Sequence, residues 1–123
     1  TYTASGASAL RVARERPASP LIAVTPEERT ARRLALCWGV LPTLSTDARD
    51  VDDMVELAID AALNAGLDSA RPLVIVAGLP FGAPGTTNLL RLVMPTELQL
   101  RRRSSGGTTA HSLRPTATAT PQA

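Results

Sequence analysis

Pro20-Leu21-Ile22-Ala23-Val24-Thr25-Pro26-Glu27-Glu28 joins a short apolar run to a helix-start signal, and that junction decides the class of fold. Leu21 to Val24 is apolar, partly β-branched and bounded by prolines, which predicts a buried strand. Thr25-Pro26-Glu27-Glu28 has the form of a capping box, with a hydroxyl for an exposed amide, proline at the first helical position and a glutamate able to reach back. Ala31, Leu34, Ala35 and Trp38 then follow at helical spacing as one apolar stripe, Glu28 and Arg32 are placed to pair on the outer face, and Gly39 ends the helix. On this reading Trp38 is a core residue whose burial contributes roughly 4 to 6 kcal/mol.

The same alternation continues in both directions. Upstream, Ala7-Ser8-Ala9-Leu10-Arg11-Val12-Ala13-Arg14 predicts a short helix entered through Ser5-Gly6 and stopped by Pro17. Downstream, Val40-Leu41-Pro42-Thr43-Leu44 is a strand candidate, and Pro42 assigns it to a sheet edge or a strand start. Asp50 caps the longest helix, whose packing face is Val51, Met54, Val55, Ala58, Ala62 and Ala65, with Gly66 as its stop. Pro72-Leu73-Val74-Ile75-Val76-Ala77 has the pattern of a strand covered on both faces. After the turn-rich residues 78–88, Asn88-Leu89-Leu90-Arg91-Leu92-Val93-Met94 predicts a last, more exposed strand. It is reached without a crossover helix and is therefore expected to be antiparallel, at an edge. The class is α/β: a three-layer domain over residues 1–94, with a mostly parallel sheet and an antiparallel edge strand. Residues 95–123 change in composition, with Arg101-Arg102-Arg103, Ser104-Ser105-Gly106-Gly107 and alternating Thr and Ala, and are expected to be a disordered tail.

Composition removes several kinds of chemistry. The 123 residues carry 13 basic and 11 acidic side chains, a formal charge of +2. All 13 cations are arginine, so no lysine is present for a P-loop, a Schiff base or a Ser-Lys pair. Residues 1–95 have a net charge of −1 and residues 96–123 of +3, which assigns the basicity to the tail. The single histidine, His111, lies in that tail, so neither a catalytic triad nor a histidine metal cluster is expected in the folded part. One cysteine, Cys37, allows no intrachain disulfide and fits a reducing, cytoplasmic setting. The longest strongly apolar stretch, residues 73–79, is far short of the ~20 residues that cross a bilayer, so no membrane partner is expected. The chain opens on Thr1 without the pattern of a signal peptide, and a start within a longer protein is expected.

Five places could carry chemistry. Thr3-Ala4-Ser5-Gly6-Ala7-Ser8 brings hydroxyls and unpaired amides to the positive end of a helix, which suits an anion such as phosphate or serves as an ordinary N-cap. The glycines and prolines of residues 78–88 allow close approach to a ligand or form a tight structural turn. If both loops lie at one end of the sheet they form one pocket, where ligands of open α/β folds bind. Asp50, Asp52, Asp53 and Glu56 lack the oxygen spacing of a calcium loop and read as capping and solvated charges. Cys37 has no histidine to activate it. Arg101 to Arg103 form a short charge run for which no nucleic-acid partner is expected.

These residues also carry a resemblance. Thr3-Ala4-Ser5-Gly6-Ala7-Ser8-Ala9-Leu10-Arg11-Val12-Ala13-Arg14-Glu15-Arg16-Pro17 followed by Pro20-Leu21-Ile22-Ala23-Val24-Thr25 resembles the opening of the C-terminal, allosteric domain of pyruvate kinases. Ala31-Arg32-Arg33-Leu34-Ala35-Leu36-Cys37-Trp38-Gly39-Val40, Asp50-Val51-Asp52-Asp53-Met54-Val55, and Val74-Ile75-Val76-Ala77-Gly78-Leu79-Pro80-Phe81-Gly82 with Gly85-Thr86-Thr87-Asn88 are similar in the same order. The resemblance implies a regulatory and oligomerisation fragment of an enzyme that transfers a phosphoryl group from phosphoenolpyruvate to ADP. It implies a catalytic barrel, with its Mg²⁺ and K⁺ sites, outside this chain, so that the fragment holds no cofactor and is inactive alone. It further implies a phosphate-binding loop at Thr3, Ala4, Ser5, Gly6, Ala7 and Ser8, an effector loop at Gly82, Gly85, Thr86 and Thr87, a small phosphorylated effector, and other subunits of a homo-oligomer, a tetramer in that family. Three departures accompany it: the first strand is truncated, residues 95–123 have no counterpart, and Met54 stands where members that respond to a bisphosphate carry arginine, which implies a monophosphate effector or none. A stand-alone phosphometabolite-binding α/β module is the alternative reading of the same helix start.

Overall fold

A computed structural model describes residues 1–83 and 85–105, with the side chain of Ser105 left aside. The elements are α1 (Ala7–Arg14), β1 (Leu21–Thr25), α2 (Glu28–Leu34), β2 (Val40–Leu44), α3 (Val51–Asn64), β3 (Leu73–Ala77), β4 (Leu89–Val93) and α4 (Pro95–Ser105). β1 and β2 are parallel, with Ala23 opposite Pro42, and β3 and β4 are antiparallel, with Ile75 opposite Arg91. Tyr2 connects the two ladders through single parallel bridges to Val24 and Ala77. Its amide donates to the Val76 carbonyl at 3.0 Å, and the next amide, Thr3, donates to Val24 at 2.9 Å. The strands therefore run in the order β2, β1, Tyr2, β3, β4.

Three layers follow from the alternation of side chains along β1. Ile22 and Val24 enter the larger core with Met54, Val55, Ala58, Ile59 and Ala62 of α3 and with Ile75 and Ala77 of β3. Ala23 faces the other way, into a smaller core with Ala9 of α1 and Leu34 of α2. All five residues of β1 are buried, as a strand covered on both faces must be.

β3 departs from the expectation that both of its faces are covered. Ile75 and Ala77 are buried against α3, yet Val74 is 53% exposed, and across the ladder Leu92 and Leu90 are 65% and 73% exposed. The small second core spans α1, α2, β1 and β2, so among the described residues no helix covers that face of β3 and β4.

The second helix is shorter than its periodicity predicts. It ends at Leu34, after which Leu36 and Cys37 donate to carbonyls three residues back and Gly39 takes φ +76. Tightening from four- to three-residue bonds rotates the following side chains off the buried stripe. Trp38 is consequently 72% exposed, with the Arg16 guanidinium 5.0 Å from its ring centroid, and is a surface cation–π partner instead of a core residue. The capping box is also altered: the Thr25 hydroxyl accepts the Glu27 amide at 3.2 Å, the helix starts two residues later, at Glu28, and Glu28 pairs with Arg32 at 2.6 Å.

α3 matches its expected start, with Asp50 Oδ1 accepting the Asp53 amide at 2.8 Å, and it stops beside Gly66 at φ +82. Its buried face adds Ile59 and Ala61 to the predicted set and leaves Ala65 exposed. Residues 95–105, expected to be disordered, form α4. Leu98 packs on the larger core, the Thr96 hydroxyl donates to Ser69 at 2.6 Å, and Arg102 pairs with Glu56 at 2.5 Å and Asp60 at 3.5 Å. Those tertiary contacts offset the ordering entropy that composition alone leaves unbalanced. The remainder of the expected tail, residues 106–123, lies outside the described residues.

Candidate functional site

Residues 3–8 leave the sheet beyond Tyr2 and turn sharply into α1. The turn depends on Gly6, whose φ of +90 lies in the left-handed region, and a Cβ there would meet Leu34 and Thr30 at 3.4 Å. The Thr3 hydroxyl accepts the Gly6 amide at 2.9 Å, and the Ser5 hydroxyl accepts the Ala7 amide at 3.3 Å. From behind, α2 holds two carbonyls of the same turn: the Thr30 hydroxyl donates to Ala4 at 2.7 Å and the Arg33 guanidinium to Ser5 at 2.9 Å.

The opposite wall comes from residues 78–88. Gly78 passes so close to Thr86 that a Cβ would stand 1.8 Å from its carbonyl oxygen, which excludes any side chain. Asn88 brackets Leu79, accepting its amide at 2.7 Å and donating to its carbonyl at 2.8 Å. The Leu79-Pro80 peptide is cis. This wall is tied to α1 at Thr87 and Gly85: the Thr87 hydroxyl meets Ser8 Oγ at 2.9 Å and accepts from Arg11 at 2.6 Å, while Arg11 also donates to the Gly85 carbonyl at 3.1 Å.

A shallow cleft, partly open to solvent, lies between the walls. Thr3, Ala4, Ser5, Ala7 and Ser8 line one side; Gly82, Ala83, Gly85 and Thr86 line the other, with Tyr2, Gly78 and Phe81 as the floor. Gly6 and Thr87 support the walls without lining the space. The Tyr2 and Phe81 rings meet edge to face, 5.3 Å between centroids. The Tyr2 hydroxyl donates to Asp47 at 2.9 Å and accepts the Ala48 amide at 2.9 Å, and burial pushes its pKa up to about 12. Among the described residues no carboxylate lines the cleft, while the guanidiniums of Arg11 and Arg33 grip its walls. Hydroxyls, helix-start amides and nearby positive charge suit a small anion.

The two loops singled out from sequence thus face each other across one space. Sequence reasoning missed Arg11, Thr30 and Arg33. Arg11 was within reach, since it lies three residues after Ser8 on one helix face. Thr30 and Arg33 act across 26 and 28 residues of sequence, for which no local pattern exists. Met54 is fully buried in the core and does not reach the cleft. The acidic set is spent elsewhere: Asp50 caps α3, Asp52 pairs with Arg91 at 3.2 Å, and Glu56 pairs with Arg102. Hydrogen bonds from Arg49 hold the Asp53 carboxyl below its usual range. Among the described residues no group of three or more His, Cys, Asp or Glu side chains is placed to hold a metal ion. Cys37 is half-buried, with the Arg33 carbonyl 3.9 Å from its sulfur. No helix among the described residues is long and apolar enough to cross a membrane.

A family model described as pyruvate kinase, alpha/beta domain, matches residues 1–93. Curated relatives include a pyruvate kinase of Methylorubrum extorquens, 44% identical over 102 residues, covering 82% of this chain and 21% of that protein. One of Clostridium acetobutylicum is 43% identical over 93 residues, 75% of this chain and 20% of the relative. One of Geobacillus stearothermophilus is 39% identical over 107 residues, 86% and 18%. The chain therefore spans about a fifth of the length of these relatives.

Proposed function

The chain belongs to the pyruvate kinase family, by its α/β domain, and on that premise we propose that it is the regulatory and oligomerisation part of such an enzyme, with the cleft as its effector site. The parent reaction is phosphoryl transfer from phosphoenolpyruvate to ADP, giving pyruvate and ATP. Its catalytic groups and its Mg²⁺ and K⁺ belong to a barrel outside this chain, which by itself forms no pyruvate. The setting is cytoplasmic, the partners are further subunits of a homo-oligomer, and neither nucleic acid nor membrane is bound.

The observation that carries the effector reading is the juxtaposition of residues 3–8 with Gly82, Gly85 and Thr86 across one carboxylate-free cleft. A helix dipole contributes only ~0.3 to 1 kcal/mol to anion binding. Micromolar affinity needs ~8 kcal/mol, which takes several charge-assisted hydrogen bonds at ~1.5 to 3 kcal/mol each. Thr3, Ser5 and Ser8 supply hydroxyls, and Ser5, Gly6 and Ala7 supply amides. In the free chain the Gly6 and Ala7 amides donate to the Thr3 and Ser5 hydroxyls, so a phosphate takes over bonds that the loop already presents.

Thermal-shift titration of the purified chain with sugar phosphates and AMP tests this reading. A ligand at about 100 times its dissociation constant adds ~2.7 kcal/mol, a rise of several degrees. No rise with any of them, on a folded sample, contradicts the effector site. Pyruvate formed from phosphoenolpyruvate and ADP by the chain alone contradicts the assignment of catalysis to another part of the enzyme.

A further inference from the structure

We infer that Thr30 and Arg33, on α2, are positioning residues for the phosphate-binding turn: neither lines the cleft, and each fixes the direction of one amide that a bound anion uses. The inference rests on the effector reading above. A trans peptide is planar, with its N–H pointing opposite to its C=O. The Thr30 hydroxyl draws the Ala4 carbonyl toward α2, which turns the Ser5 amide away from α2. Arg33 draws the Ser5 carbonyl the same way and turns the Gly6 amide outward, where it meets the Thr3 hydroxyl on the cleft wall. No residue of α2 lines the cleft, so outward from α2 is toward the ligand space.

Both contacts are specific to the turn. Thr30 is 6% exposed, and its hydroxyl reaches the carbonyl at a short 2.7 Å. Arg33 stands 3.5 Å from the position of a Gly6 Cβ, so the glycine at φ +90 also makes room for the guanidinium that braces it. With both carbonyls tied back, two consecutive amides converge before ligand arrives, and less ordering entropy is lost on binding. A turn without these ties lets either peptide plane flip its carbonyl toward the cleft, where it repels an anion.

Calorimetric titration of the full chain with inorganic phosphate separates the possibilities. Thr30→Val keeps the shape and removes the donor; Arg33→Met removes the charge and donors; Arg33→Lys restores a donor; Ile59→Val loosens the larger core away from the turn. Thr30→Val and Arg33→Met are expected to weaken phosphate about tenfold each, the effect of one oriented hydrogen bond. Arg33→Lys recovers most of the loss, and Ile59→Val, though less stable to urea, stays within about twofold of the parent. Parent binding with equal affinity in Thr30→Val and Arg33→Met overturns the positioning role. Equal weakening in Ile59→Val overturns it too, since general loosening then accounts for the effect. No binding by the folded parent overturns the effector reading itself.

Discussion

Replacing Tyr2 by phenylalanine removes one oxygen from the position where the two halves of the sheet meet, and the structure sets the expected cost. Tyr2 is 3% exposed and bridges β1 to β3 through its backbone. Phenylalanine keeps those bridges and the edge-to-face contact with Phe81. The lost oxygen leaves the buried Ala48 N–H without the acceptor it has in the parent, whereas the part-buried Asp47 carboxylate regains water. An unsatisfied buried amide costs ~1 to 3 kcal/mol, so about 2 kcal/mol is expected. Each kcal/mol shifts the midpoint of a domain this size by roughly 4 to 8 °C. Urea and thermal denaturation followed by far-ultraviolet circular dichroism read both quantities. A Tyr2→Phe chain within about 0.5 kcal/mol of the parent, with an unchanged urea slope, refutes the role given to this hydroxyl. The same phenol makes a pH prediction: at a pH between 10 and about 12 the unfolded phenol has lost its proton and the folded one has kept it. The folded state then binds more protons, so stability falls as pH rises through that window, and Tyr2→Phe removes this component.

Trp38→Ala is expected to cost under about 1 kcal/mol, the loss of an exposed stack on Arg16, where a core tryptophan would cost ~3 to 5; urea denaturation distinguishes the two values. Asp50→Ala leaves the Asp53 amide without its cap and lowers stability by about 1 kcal/mol in the same assay.

The folded layers were readable because single local patterns specify them: five buried residues at β1, an aspartate cap at α3, a proline in β2 that tolerates only an edge. Trp38 was misread because periodicity does not report where a helix tightens and stops; three-residue bonds after Leu34 rotate it outward. Val74 was misread because an apolar run records hydrophobicity without recording which neighbour is missing. α4 was missed because its ordering comes from Ser69, Glu56 and Asp60, all distant in sequence. At the cleft, hydroxyl and glycine spacing marked both loops, while the side chains that hold them in place reach from other elements. Arg11 ties Thr87 and Gly85 to α1, and Thr30 and Arg33 tie the turn to α2.

Titration of the isotopically labelled full chain with a phosphate monoester, followed by amide resonances, bears most directly on the effector cleft. Saturable shifts concentrated at Ser5, Gly6, Ala7 and Ser8, with a second group at Gly85, Thr86 and Thr87, are the expected result. Shifts that never saturate, or that concentrate on the arginines of α4, contradict it.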